Sequence, residues 1–155
     1  MQNTRSLDRV GQALVDLMSF FASPQRDQTL LRTAGVELDR ALFPLLVRLA
    51  DGAPKGVAEL AEEVGRDHTT VSRQLAKLES LGMVERPQAA GDRRVRAARI
   101  APEGETVVAA IADARRRLLS RVLANWSEDD LARLGELNQR LAIDLKRAAA
   151  AGAAS

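Results

Sequence analysis

Apolar residues recur at three- and four-residue steps between positions 7 and 21. Leu7, Val10, Leu14, Leu17, Met18 and Phe21 share one side of a predicted helix. Pro24 ends that helix, because proline has no N–H to give to the preceding turn. "SPQRDQT" (23–29) then reads as a linker or turn. "ELDRALFPLLVRLADG" (37–52) predicts a second helix, with Asp39 as N-cap and Gly52 as its stop. With that cap, Pro44 falls just beyond the first turn and should bend the helix. "DGAPKG" (51–56) reads as a loop.

Two short amphipathic helices follow. "VAELAEEVG" (57–65) places Val57, Leu60, Ala61 and Val64 on one side. "DHTTVSRQLAKLESLG" (67–82) does the same with Val71, Leu75, Leu78 and Leu81, and Gly82 closes it. "MVER" (83–86) and "VRAARI" (95–100) are strand candidates with imperfect alternation. Residues 102–126 predict a long helix with Pro102 in its first turn. Residues 127–150 predict another. Ser127 starts it, acids fill its first turn, where the helix dipole favours them, and Leu131, Leu134, Leu137, Leu141 and Leu145 form an apolar stripe. The alanine-rich tail is expected to fray.

Composition narrows the chemistry. Of 155 residues, 46% are hydrophobic, enough for a core, and only 3% are aromatic, so the core is aliphatic and helix-leaning. There is no cysteine, which excludes disulfides, thiolate metal sites, cysteine nucleophiles and thiol redox sensing. The single histidine, His68, argues against a histidine zinc site. Dinucleotide and phosphate loops and a Ser/His/Asp set are missing, so no enzyme is expected and no cofactor is implied. Asp8, Arg9 and Asp16 interrupt the apolar run that a signal peptide needs, and no stretch approaches the roughly 20 apolar residues of a membrane span, so the expected compartment is the cytoplasm.

Net charge is only +2, but it is unevenly placed. Residues 86–99 carry five basic side chains and one acidic, whereas 57–85 carry three basic and six acidic. The positive concentration coincides with the second strand candidate and the loop before it.

Ala61, Gly65 and Val71 have the spacing of a helix-turn-helix: a small residue where two helices cross, a glycine in the turn, and an apolar anchor on the second helix. At about 100° per residue, Thr69, Arg73, Ala76, Lys77 and Ser80 point away from the Val71, Leu75, Leu78 side, with Thr70 flanking. Short hydroxyls with Arg and Lys are the groups that contact base edges and phosphates in a major groove. Asp67, at the helix start, is explained without DNA if it or its neighbour caps the helix. A hairpin directly after such a helix reaches sideways to the neighbouring minor groove or backbone, which is what the arginines Arg93, Arg94, Arg96 and Arg99 would meet.

The stretch "VAELAEEVGRDHTTVSRQLAKLESLGMVERPQAAGDRRVRAARIAPEG" resembles the winged helix-turn-helix of MarR-family transcriptional regulators. The ordered set Leu78, Gly82, Met83, Val84, Arg86, Asp92, Arg94, Ile100 and Gly104 carries the resemblance, over residues 38–104 by motif and over the whole chain by helix order. Ala101 departs from the pattern, where threonine is commoner and would add a helix cap. The implied fold is mainly α with a small β-hairpin wing: a winged helix-turn-helix at 37–104, flanked by dimerisation helices at 1–36 and 105–155.

The resemblance also implies roles. Thr69, Thr70 and Arg73 would face the major groove, and Ser72 and Lys77 would lie near phosphates. Arg93, Arg94 and Arg96 would belong to the wing, with Arg94 at its tip in the minor groove and Asp92 holding the wing by pairing with an arginine. His68 would either touch DNA or simply occupy the first turn. Leu7, Val10, Leu14, Leu131, Leu134, Leu141 and Leu145 would serve dimerisation. The implied partners are double-stranded DNA with a palindromic operator, a second copy of the chain, and a small-molecule effector, with repression as the commoner mode. By analogy, effector-pocket residues would lie on 10–21, 38–49 and 107–118, and Arg115, Arg116 and Arg117 are either an anion site or a solvated helix face. The competing reading is a winged helix that coats DNA without sequence preference, or binds protein, with no effector response.

Overall fold

The computed structural model describes residues 4–87 and 97–153. Its elements, in chain order, are α1 (Thr4–Phe21), α2 (Pro24–Thr33), α3 (Phe43–Arg48), α4 (Val57–Val64), α5 (His68–Ser80), β1 (Val84–Glu85), β2 (Arg99–Ile100), α6 (Pro102–Val122) and α7 (Glu128–Ala153). The fold is mainly α with one small antiparallel hairpin, the architecture read from the sequence. The chain divides into two compact units, Met1–Arg117 and Leu118–Ser155. Among the described residues, no helix is long and apolar enough to cross a membrane.

The core lies in the first unit. Leu45, Leu46 and Leu49 from α3 and its end meet Leu60 of α4, Val71, Leu75 and Leu78 of α5, and Ile111 of α6, all fully buried. Val84 and Ile100, directly opposite one another in the hairpin, extend the same cluster, and so does Leu31 of α2. α5 and α6 supply residues at three- or four-residue steps, so each buries one stripe. Leu81 is the exception: placed on the buried side by periodicity, it is 40% exposed, because at about 100° per residue it falls at the edge of the stripe formed by Val71, Leu75 and Leu78.

Four sequence expectations are corrected. Residues 23–29 are not a linker: Pro24 opens α2, where its fixed φ suits a first turn and its missing N–H is not needed. Pro44 does not bend a long helix, because no helix precedes it. α3 starts at Phe43 with the proline in its first turn. Asp39 therefore caps no helix; its Oδ1 accepts from the Ala41 amide (2.9 Å) and its carbonyl from the Leu42 amide (2.9 Å), forming a turn. Finally, the loop 51–56 contains a strand-like contact: the Lys55 and Ala98 backbones exchange two hydrogen bonds of 2.8 Å.

Gly104 accounts for the end of the family pattern. A Cβ built there would lie 2.2 Å from the Met83 carbonyl oxygen and 2.9 Å from Ile100 Cγ1. That carbonyl is already fixed as the acceptor of the Ala101 amide at 2.9 Å. The start of α6 thus sits directly on the hairpin, and only hydrogen fits between them. Gly104→Ala is expected to destabilise the fold by about 1–3 kcal/mol, the usual range for overpacking. Thermal unfolding of the two proteins checks this, and an unchanged melting temperature would refute the close approach.

Candidate nucleic-acid interface

The recognition-helix candidate is α5, and its start is tightly specified. Asp67 has an extended backbone, and its carboxylate accepts from the Thr70 amide (2.8 Å) and the Thr70 hydroxyl (2.6 Å). In the turn before it, Gly65 ends α4 with φ 65°, a left-handed conformation that a side chain would disfavour. The Thr70 hydroxyl, then its amide, hold the Asp67 carboxyl below its ordinary value. With the folded value below the unfolded one, the ionised cap stabilises the fold above the ordinary carboxylate range, and that contribution disappears as pH falls through the folded value. Asparagine caps as well as aspartate but carries no titrating proton. In urea unfolding over a pH series, the stability advantage of wild type over Asp67→Asn is therefore expected to shrink below about pH 4. A pH-independent difference would contradict this.

Along α5, Thr69, Arg73 and Lys77 stand at four-residue steps, so they form one exposed row on the helix surface. Val71, Leu75 and Leu78 are buried on the other side. Ser72 and Thr70 are half-buried at the flanks. The Thr70 hydroxyl proton already goes to Asp67, leaving its lone pairs and methyl group for any further contact. Ser80 is exposed, with its hydroxyl donating to the Lys77 carbonyl (2.7 Å). His68 is exposed in the first turn.

The hairpin follows immediately. β1 and β2 pair in the register Val84–Ile100 and Glu85–Arg99. Arg99 lies directly opposite Glu85 and forms a 3.0 Å ion pair with it, so this arginine closes the hairpin base. Arg93, Arg94 and Arg96, and Asp92, expected to brace the wing, lie outside the described residues. Lys55 supports the base from the other side, with its ammonium 3.0 Å from Glu63 of α4.

Sequence reading passed over Arg66. From the turn between α4 and α5, its Nη1 donates to the Ala41 carbonyl (2.6 Å) and to Gln74 Oε1 (2.9 Å). No local pattern signals this, because one partner is 25 residues away.

A cavity of about 470 Å³ opens beside α2, lined by Leu31, Arg32, Val36, Leu38 and Arg40 among others. It shares residues 38–40 with one of the segments expected to form a pocket; the rest comes from α2 and the turn after it. In the arginine run, Arg116 pairs with Asp113 (2.8 Å), Arg117 reaches the Thr33 carbonyl (3.4 Å), and Arg115 is exposed.

The candidate dimerisation residues are uncovered within the chain. No residue of α1 is buried: Leu7 and Val10 are exposed and Leu14 is half-buried. On α7, Leu131, Leu134 and Leu145 are exposed and Leu141 is half-buried.

Comparison with known proteins agrees with this arrangement. The family model HVO_A0114 matches residues 38–100, the helix-turn-helix and hairpin. The uncharacterized HTH-type transcriptional regulator YxaD of Bacillus subtilis (strain 168) is 34% identical over 115 residues, covering 74% of this chain and 79% of that protein. Among solved structures, a MarR family protein from Bacillus stearothermophilus superposes with a TM-score of 0.75 at 20% identity, over 94% of this chain and 99% of that one. The MarR structure gives 0.69 at 25% identity, over 86% and 98%. A helix-turn-helix with a hairpin directly after it, a 34% identical HTH-type transcriptional regulator and the likeness to the MarR structure place this chain in the MarR family of winged helix-turn-helix, DNA-binding transcriptional regulators.

Proposed function

We propose that this regulator is a homodimeric, sequence-specific repressor of a palindromic operator, released by a small-molecule effector. The observation that carries the DNA reading is the row Thr69, Arg73 and Lys77, exposed on a helix whose opposite side is core. In this reading Thr69, Thr70 and Arg73 contact base edges in the major groove, while Ser72 and Lys77 contact phosphates. Thr70 acts there as an acceptor or through its methyl group, since its proton is held by Asp67. Arg93, Arg94 and Arg96 carry the wing to the adjacent minor groove, and Asp92 braces it.

Residues 37–104 form the DNA-binding region and 1–36 with 105–155 the dimerisation region. The exposed leucines of α1 and α7 support this, because apolar stripes of that length on a regulator mark an interface. Twofold symmetry then doubles a few-base-pair reading into a palindrome. Support for the effector is the cavity beside α2, whose volume suits a small molecule and whose lining sets Leu31, Val36 and Leu38 among the charged Arg32, Glu37, Asp39 and Arg40.

Carboxylates placed on the α7 stripe test the dimer. Leu134→Glu combined with Leu145→Glu is expected to convert the protein to a folded monomer in analytical ultracentrifugation and to weaken operator binding at least tenfold, since losing the second half-site removes more than one contact. A doubly substituted chain that remains dimeric would remove α7 from the interface.

A further inference from the structure

We infer that Arg66 is a positioning residue that sets the rotation of the recognition helix, and through it the specificity of DNA reading. The inference rests on the DNA reading proposed above. Nη1 of Arg66 carries two hydrogens, and the two acceptors are the Ala41 carbonyl at 2.6 Å and Gln74 Oε1 at 2.9 Å. Both hydrogens of that nitrogen are engaged, and the side chain is part-buried in the turn between α4 and α5. Arginine has donors only, so the Gln74 amide must turn its oxygen inward.

The two ends of this link differ in what they hold. Ala41 belongs to the turn braced by Asp39, one residue before the buried Leu42. That end is fixed to the entrance of α3. Gln74 lies on the flank of α5, next to Arg73 of the exposed row. Val71, Leu75 and Leu78 seat the buried side of α5 in the core. Hydrogen bonds are directional, so the Arg66–Gln74 contact on the flank adds a restraint on rotation about the helix axis to the one that packing supplies. Base-edge contacts tolerate errors of only about 10–20°. A rotation of that size moves the Arg73 guanidinium off its base while leaving phosphate contacts, which tolerate more, in place.

The test uses the full chain, an operator duplex recovered by selection from random DNA, and a scrambled duplex of equal length, read by fluorescence anisotropy at several salt concentrations. Arg66→Lys keeps the charge but loses the planar fork, and Arg66→Met loses both. Each is expected to weaken operator binding roughly tenfold, as does Gln74→Met, with the double variant Arg66→Lys/Gln74→Met no weaker than the singles. Binding of Arg66→Lys to the scrambled duplex and the salt slope stay at wild-type values. Three results would overturn this inference alone: wild-type discrimination in all variants; a lysine variant that binds operator like wild type while the methionine variant loses about one unit of salt slope, which would make Arg66 a phosphate contact; or melting temperatures that fall while the operator-to-scrambled ratio holds, which would make it purely structural. A wild-type chain that does not discriminate between the duplexes overturns the operator reading and this inference with it.

Discussion

Leu75→Ala is expected to cost the fold about 2–5 kcal/mol, a large fraction of the roughly 5–15 kcal/mol that holds a domain of this kind together. Leu75 is fully buried, and so are Val71 and Leu78 one helical turn to either side. Removing three carbons leaves a cavity in the buried cluster that Leu75 shares with residues of several other helices, which cannot all move inward to close it. Urea unfolding measures the loss directly. The exposed row of Thr69, Arg73 and Lys77 is untouched, so any protein that remains folded should keep its salt dependence of DNA binding. A loss below about 1 kcal/mol would mean that α5 is not seated in the core as described.

The second large effect concerns binding rather than folding. Arg73→Ala is expected to weaken operator binding by about 1–3 kcal/mol while leaving the unfolding midpoint unchanged. Arg73 is exposed and stands midway between Thr69 and Lys77, so truncation creates no cavity. If Arg73 contacts a base, the loss concentrates on one position of the operator, and changing that base pair should weaken the wild type but not the variant. Lys77→Ala should instead weaken all duplexes alike and lower the salt slope by about one. Equal losses on every sequence for Arg73→Ala would assign it to phosphates.

The parts of this fold that were legible in the sequence are those encoded locally. Asp67 before a periodic apolar run and Gly65 in the turn mark α5 because capping and left-handed turns need particular residues at particular places. The outward row of α5 followed from the same periodicity. Proline was ambiguous: Pro24 stops one helix and opens the next, and sequence alone shows only the stop. Pro44 misled in a related way, since its place relative to a helix start depends on where Asp39 makes its turn. Lys55 and Arg66 were illegible for a different reason. Their partners, Ala98 and Ala41, are brought near only by the assembled fold. The wing arginines Arg93, Arg94 and Arg96 rest on sequence alone, whereas Arg99, grouped with them by charge, turned out to be paired with Glu85.

Selection of bound duplexes from a randomised pool, at near-physiological salt, tests the central claim most directly. A dimeric, sequence-specific regulator is predicted to enrich a palindrome with half-sites about ten base pairs apart, centre to centre. Recovery of bound duplexes with no enriched sequence would contradict it, and would make the exposed row and the arginine-rich wing a general DNA-binding surface instead.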